Sequence, residues 1–177
     1  MPQTTYQIDS AHSAAHFSVR HMMIANVRGE FTKVTGKFTY DPQNPTDSTI
    51  EAVIDVASLH TNDPDRDQHL KSPEFFDADR FPQITFRSKS VAPDDGELIV
   101  HGDLTIHGVT HDITLHVEGP SEEAKDPWGN TRVGATATGK LNRKDFGLTW
   151  NVALETGGVL VGEEIKLSLD VQGLRQA

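Results

Sequence analysis

The side chains best suited to acid–base chemistry gather in one short stretch, Asp65, Arg66, Asp67 and His69, with His21 as a further candidate upstream. A carboxylate beside a guanidinium and an imidazole can form an acid–base dyad. These groups therefore define an enzyme reading, in which His21 or the Arg66/Asp67 pair acts on a substrate. The structural reading of the same residues is that Arg66 and Asp67 make hydrogen-bonded pairs clamping a helix to its support, while His21 is a satisfied core histidine. Two further pairs, His12 with His16 and His107 with His111, have the i, i+4 spacing that suits zinc on a helix. On a strand, four residues span about 13 Å, too far for two nitrogens each about 2 Å from one ion. His107 and His111 flank a turn and can meet across it, but surface histidines are the expectation and no metal is assigned.

Gly134-Ala-Thr-Ala-Thr-Gly139-Lys140-Leu141 comes close to a phosphate-binding loop. Leu141, however, stands where a Ser or Thr would hold magnesium, and no helix follows. The segment reads as an alternating strand. The chain contains no Gly-x-Ser-x-Gly, His-Glu-x-x-His or Gly-x-Gly-x-x-Gly, so the commonest signatures of a hydrolase, metalloprotease or dehydrogenase are missing. Neither a catalytic residue nor a cofactor is assigned.

The elements that would position such groups are strands. Alternation with period two runs through most of the chain. Ala15, Phe17, Val19 and His21 share one face; Val27, Gly29 and Phe31 follow. The phase slips at Thr32-Lys33 and resumes with Val34, Gly36, Phe38 and Tyr40, as in one long strand bent by an extra residue. Then come Ile50 to Val56, Ile84 to Ser90, Leu98 to Ile106, Ile113 to Val117, Val133 to Leu141 and Ile165 to Val171. Eight strands with one apolar face each call for a sheet folded on itself, and closure into an antiparallel barrel is expected. Gly29, Gly36, Ala52, Ser88, Gly102, Ala135, Ala137 and Gly139 fall on the apolar face. So many small inward residues favour an open bore over a filled one. Taken singly, each glycine can equally mark a bend.

One stretch resists the pattern. Asp63 before Pro64 has the chemistry of a helix start, and Pro73 stops that helix; Ser72 can cap a second turn carrying Phe75 and Phe76. A helical insertion over residues 63–77 is predicted. Phe75, Phe76 and Phe81 lie in a segment too short to own a core, so they are expected to cover a barrel mouth. Trp150 is a further candidate for mouth or wall.

The 177 residues suit a single domain. Lys and Arg total 16 against 26 Asp and Glu, a formal charge of −10, which disfavours nucleic acid and an anionic membrane surface as partners. Without cysteine there is neither a disulfide nor a thiolate nucleophile. No apolar run reaches the roughly 18 residues of a membrane span, so no membrane insertion is expected. The first ten residues lack the basic and apolar regions of a signal peptide, and a cytoplasmic location is the expectation, or a periplasmic or secreted one if a signal peptide has been removed.

The run Asp65-Arg-Asp-Gln-His-Leu-Lys-Ser-Pro-Glu-Phe-Phe-Asp-Ala-Asp-Arg-Phe-Pro-Gln-Ile-Thr-Phe86 resembles the signature of the YceI-like, polyisoprenoid-binding family. Asp9-Ser-Ala-His-Ser13, Phe17-Ser-Val-Arg-His21, Val27-Arg-Gly-Glu-Phe31, Gly102-Asp-Leu-Thr-Ile-His-Gly-Val-Thr110 and Leu141-Asn-Arg-Lys-Asp-Phe-Gly-Leu148 resemble it too, in order along the chain. The resemblance implies a lipocalin-like barrel that holds a long isoprenoid lipid in a tunnel, without known catalysis. Phe17, Val19, His21, Phe31, Phe38, Ile84, Phe86, Leu104, Leu115, Ala135 and Ala137 are the inward candidates for its wall. A homodimer is expected from the resemblance and from strand edges near the termini that need covering. An enzyme of isoprenoid or quinone metabolism is the competing reading, and an interaction or stress protein with an incidental cavity a third.

Overall fold

The computed structural model describes residues 3–152, 154 and 160–177 of the chain. Its strands are β1 (Thr4–Ile8), β2 (Ala14–His21), β3 (Ala25–Phe31), β4 (Val34–Tyr40), β5 (Thr49–Asp55) and β6 (Leu59–His60), then β7 (Gln83–Asp94), β8 (Glu97–Ile106), β9 (Val109–Glu118), β10 (Ala124–Lys125), β11 (Thr131–Asn142) and β12 (Val161–Arg175). All pairings are antiparallel.

Several strands are segments of one longer stave. β1 and β2 lie end to end along β12, with Tyr6 opposite Arg175 and Phe17 opposite Leu167. β4 and β3 lie likewise along them, with Tyr6 opposite Phe38 and Phe17 opposite Gly29. β5 and β6 form the next stave. With β7, β8, β9, β11 and β12 these make an eight-stranded closed antiparallel barrel, each stave beside its chain neighbour and β12 beside the first.

The corners inside the staves have local causes. Asp9 and Asp55 each accept from the amide two residues on, starting the 3₁₀ turns Ser10–His12 and Val56–Ser58. Thr32 and Lys33 donate to the carbonyl and hydroxyl of Ser58, so two adjacent corners are tied together. The phase slip visible at Thr32-Lys33 is this corner.

Three strands escape the alternation pattern. β1 is short and mostly polar, while β6 and β10 have two residues each. β1 removes the argument for a dimer from uncovered terminal edges: β1 is flanked by β4 and β12, and β12 by β11 on its other side.

Inward glycines also act differently from expectation. A Cβ on Gly29 would lie 2.4 Å from the Phe17 ring, one on Gly102 2.5 Å from the Phe86 ring, and one on Gly139 2.8 Å from Leu115. These glycines do not open the bore; they make room for large neighbours to lie flat on the wall. Gly36 is different again, with φ 136° and its hydrogen facing the Glu51 carbonyl, a backbone only glycine adopts readily.

The insertion contains α1 (Pro64–Lys71), capped by the Asp63 carboxylate, which accepts from the amides of Asp65 and Arg66. The second turn is not helical. Ser72 points its hydroxyl back to the His69 carbonyl, closing α1, while its own carbonyl receives the amides of Phe75 and Asp77. Backward capping by Ser72 replaces the forward cap expected of it.

Candidate functional site

Inside the barrel lies a cavity of about 220 Å³, more than ten times the roughly 10–15 Å³ that holds one water. Its wall is apolar apart from His16, Thr39, Tyr40, Ser48 and Arg143. Along β12 the lining runs from Val161 to Val171; at about 3.3 Å per residue and a strand tilt near 40°, that is about 25 Å of bore. The space is long and narrow.

Of the residues expected there, Phe17, Val19, Phe31, Phe38, Ile84 and Phe86 line it, as do Leu104, Leu115, Ala135 and Ala137. Phe75 and Phe76 reach it from the insertion, joined by Leu70 of α1. An aromatic path crosses the lidded end: Phe76 meets Phe31 edge-on at 5.7 Å between centroids, and Phe31 lies 5.7 Å from Phe17.

Three candidates lie elsewhere. His21 ends β2 at the rim, opposite Val161 and Ala25; Val161 lines the cavity there and His21 does not. Phe81 meets His107 edge-on at 4.9 Å, with the Arg80 guanidinium over its ring, and covers Gly108 without lining the cavity. Trp150 sits behind the lid: it contacts His69 at 4.9 Å and Phe75 at 5.2 Å without reaching the cavity.

The Arg66/Asp67 groups latch the lid. Arg66 donates to the hydroxyl and carbonyl oxygens of Thr61, while Asp67 accepts from the Thr61 amide and hydroxyl. Burial pushes the Asp67 carboxyl up, but the two Thr61 donors and nearby His60 outweigh it and hold it below its ordinary value. Both charged side chains therefore bind the residue just after β6, and neither lines the cavity. His107 and His111 converge on Phe146, one on its carbonyl and one on its ring, while His16 lies between Glu30 and Asp170.

Sequence reasoning missed the buried anchor of the mouth. Arg143, 2% exposed, donates to the carbonyls of Gly162, Leu148, Trp150 and Val161. Burial lowers its pKa, with the charge of Glu163 opposing. The Asn142 side chain starts the turn Arg143–Phe146 and left-handed Gly147, φ 75°, ends it, which swings the chain back so that Leu148 also lines the bore. Its place inside a motif was the available signal; periodicity is silent in an irregular segment.

An antiparallel barrel with a latched lid and an apolar bore defines the class. Within that class, the YceI-like domain profile matches residues 6–173, and the chain belongs to this family. Protein YceI of Salmonella newport is 35% identical over 173 residues, covering 97% of this chain and 87% of that protein. BcnA of Burkholderia cenocepacia has the same fold, with a TM-score of 0.76 at 24% identity over 93% of this chain and 98% of its own. A polyisoprenoid binding domain from Saccharophagus degradans, implicated in plant cell wall breakdown, superposes with a TM-score of 0.68 at 15% identity, covering 97% and 98%.

Proposed function

We propose that this protein binds a long-chain isoprenoid lipid, a polyprenyl chain or the tail of an isoprenoid quinone, and sequesters or carries it inside the barrel. The observation that carries the reading is the bore: about 25 Å long, narrow, and apolar from Leu70 at the lid to Pro120 at the far end. Its length is close to the roughly 30 Å of a bilayer's hydrocarbon core, which suits an extended chain better than a compact ring system. Burial at about 0.8 kcal/mol per CH₂ gives such a chain a large driving force, even after the cost of ordering it. The Saccharophagus degradans domain, described as polyisoprenoid binding, supports the ligand class.

Binding without turnover is the expectation, because the groups nearest to chemistry serve the lid and the mouth. Mass spectrometry of organic extracts from the purified protein tests both halves. A long-chain isoprenoid, returned unaltered after incubation, is the expected result; an empty extract or a chemically changed lipid overturns the reading.

A further inference from the structure

The hairpin between β2 and β3 breaks two local rules at once. His21 and Ala25 are its last paired residues, and between them Met22 and Met23 stand at φ 53° and 62°. A tight turn with two left-handed central residues favours Asn and Gly; bulky side chains there are strained. The same tip is exposed, with Met22 at 45%, Met23 at 51% and Ile24 at 75%. Three large apolar side chains on a strained tip serve neither stability nor solubility, which marks the tip as functional.

Its position says what for. The Met22 amide donates to the Leu160 carbonyl, and the Leu160 amide to that of Val152, itself 47% exposed. Val161, the next residue, pairs with His21 and lines the bore. The apolar tip is therefore continuous with the cavity's rim at the lidded end. The stretch that carries it is free of acid: from Ser10 to Gly29 there is no Asp or Glu, although the chain holds 26. Arg20 and Arg28 are exposed just below the tip, and Arg20 donates to the Met23 carbonyl.

An apolar point flanked by the guanidinium groups of Arg20 and Arg28, with Glu163 and Glu164 exposed on the adjoining β12, complements the layering of a zwitterionic phospholipid surface, with charged head groups outside and acyl chains beneath. A protein partner needs a broad face, about 800 Å² on each side, which a three-residue tip does not offer. Resting on the reading of the bore as a lipid carrier, we infer that the Met22-Met23-Ile24 tip docks the barrel mouth onto a phospholipid bilayer, shallowly and without spanning it. The lipid chain then passes between membrane and bore without crossing water.

Flotation of the full chain with phosphatidylcholine vesicles tests this. The Met22→Asn/Met23→Gly variant gives the turn its preferred residues and removes the apolar pair. It should keep or raise the melting temperature while vesicle binding falls at least about tenfold. Trp128→Ala serves as control, because Trp128 is 80% exposed but sits in the turn before β11 at the opposite end. It should float as the parent does. A parent that does not float, a double variant that still floats, or an equal loss in Trp128→Ala overturns the docking. So does sedimentation showing a dimer that the double variant dissolves without any vesicle binding, since a second copy then covers the tip. Organic extracts read the cargo separately: their emptiness sinks the carrier reading, whereas lost flotation sinks the docking alone.

Discussion

The guanidinium of Arg143 donates to the main-chain carbonyl of Trp150 at 2.9 Å, from a side chain that belongs to the turn after β11. Trp150 in turn backs Phe75 on the lid, so the pair links the barrel's interior to its cover.

Arg143→Met should therefore be costly. It leaves the carbonyls of Leu148, Trp150 and Gly162 short of a donor, while that of Val161 keeps the Asn151 side-chain amide, at about 2–4 kcal/mol in total once water reaches some of them. Thermal denaturation should show the melting temperature down by about 5–15 °C. Arg143→Lys keeps the charge but not the planar fork, and should fall between variant and parent. A melting temperature unchanged in Arg143→Met would show that these carbonyls are served otherwise.

Replacing Phe75 and Phe76 together by Ser removes two rings that face the bore from an insertion, not from the ladder. Release of a fluorescent prenyl probe should speed up by about tenfold or more, with a smaller effect on entry. Loss of thermal stability with unchanged release would make the rings core and not lid.

Ala137→Phe tests the bore directly. Ala137 lies opposite Leu169 and Val117 in the ladder and lines the cavity. The added ring should project into ligand space, leaving a folded barrel whose extracts hold about a tenth of the parent's lipid, equivalent to about 1.4 kcal/mol. If the space were packed to the usual density, the variant would instead lose about 1–3 kcal/mol of stability.

Acid should loosen the far end. Arg132 donates to Asp126 at 2.7 Å and to Asp9 at 2.6 Å. The guanidinium beside Asp126 holds its carboxyl down at about 2, and Arg132 with His12 depresses Asp9 likewise. A depressed carboxyl adds stability above its unfolded value of 3.8, and that share is lost as pH falls through the folded value of about 2. Denaturant melts between pH 4 and 2 should show a steep decline in the parent and a shallower one in Arg132→Gln. Equal slopes in both would deny the clamp any part in acid sensitivity.

Much of the barrel was legible because a half-buried strand must alternate. Phe17, Phe38, Phe86 and Leu115 were readable from parity alone. Parity fails at the rim, where His21 does not line the cavity although Val161 opposite it does, and where the chain leaves the ladder, as at Phe81 and Arg143. It also says only that a glycine faces inward. That the Phe17 ring lies across Gly29 depends on which residues are opposite in the ladder, and register is a long-range property that one strand's pattern does not contain. Asp63, Pro64 and Pro73 announced α1 through local chemistry, whereas the direction in which the Ser72 hydroxyl turns was undetermined until the carbonyls around it were placed.

β12 is the common neighbour of β11 on one side and of β1 and β2 on the other. During synthesis the first stave leaves the ribosome well before the strand that covers its outer edge, the fifteen residues of β12. Until then the nascent sheet has two open edges and an apolar face exposed to water, the condition in which chains pair with the wrong partner. Closure joins β12 to β1 and β2 across most of the sequence, so ring formation waits for a long loop to close, and folding falls on the slower timescale of non-local β topologies.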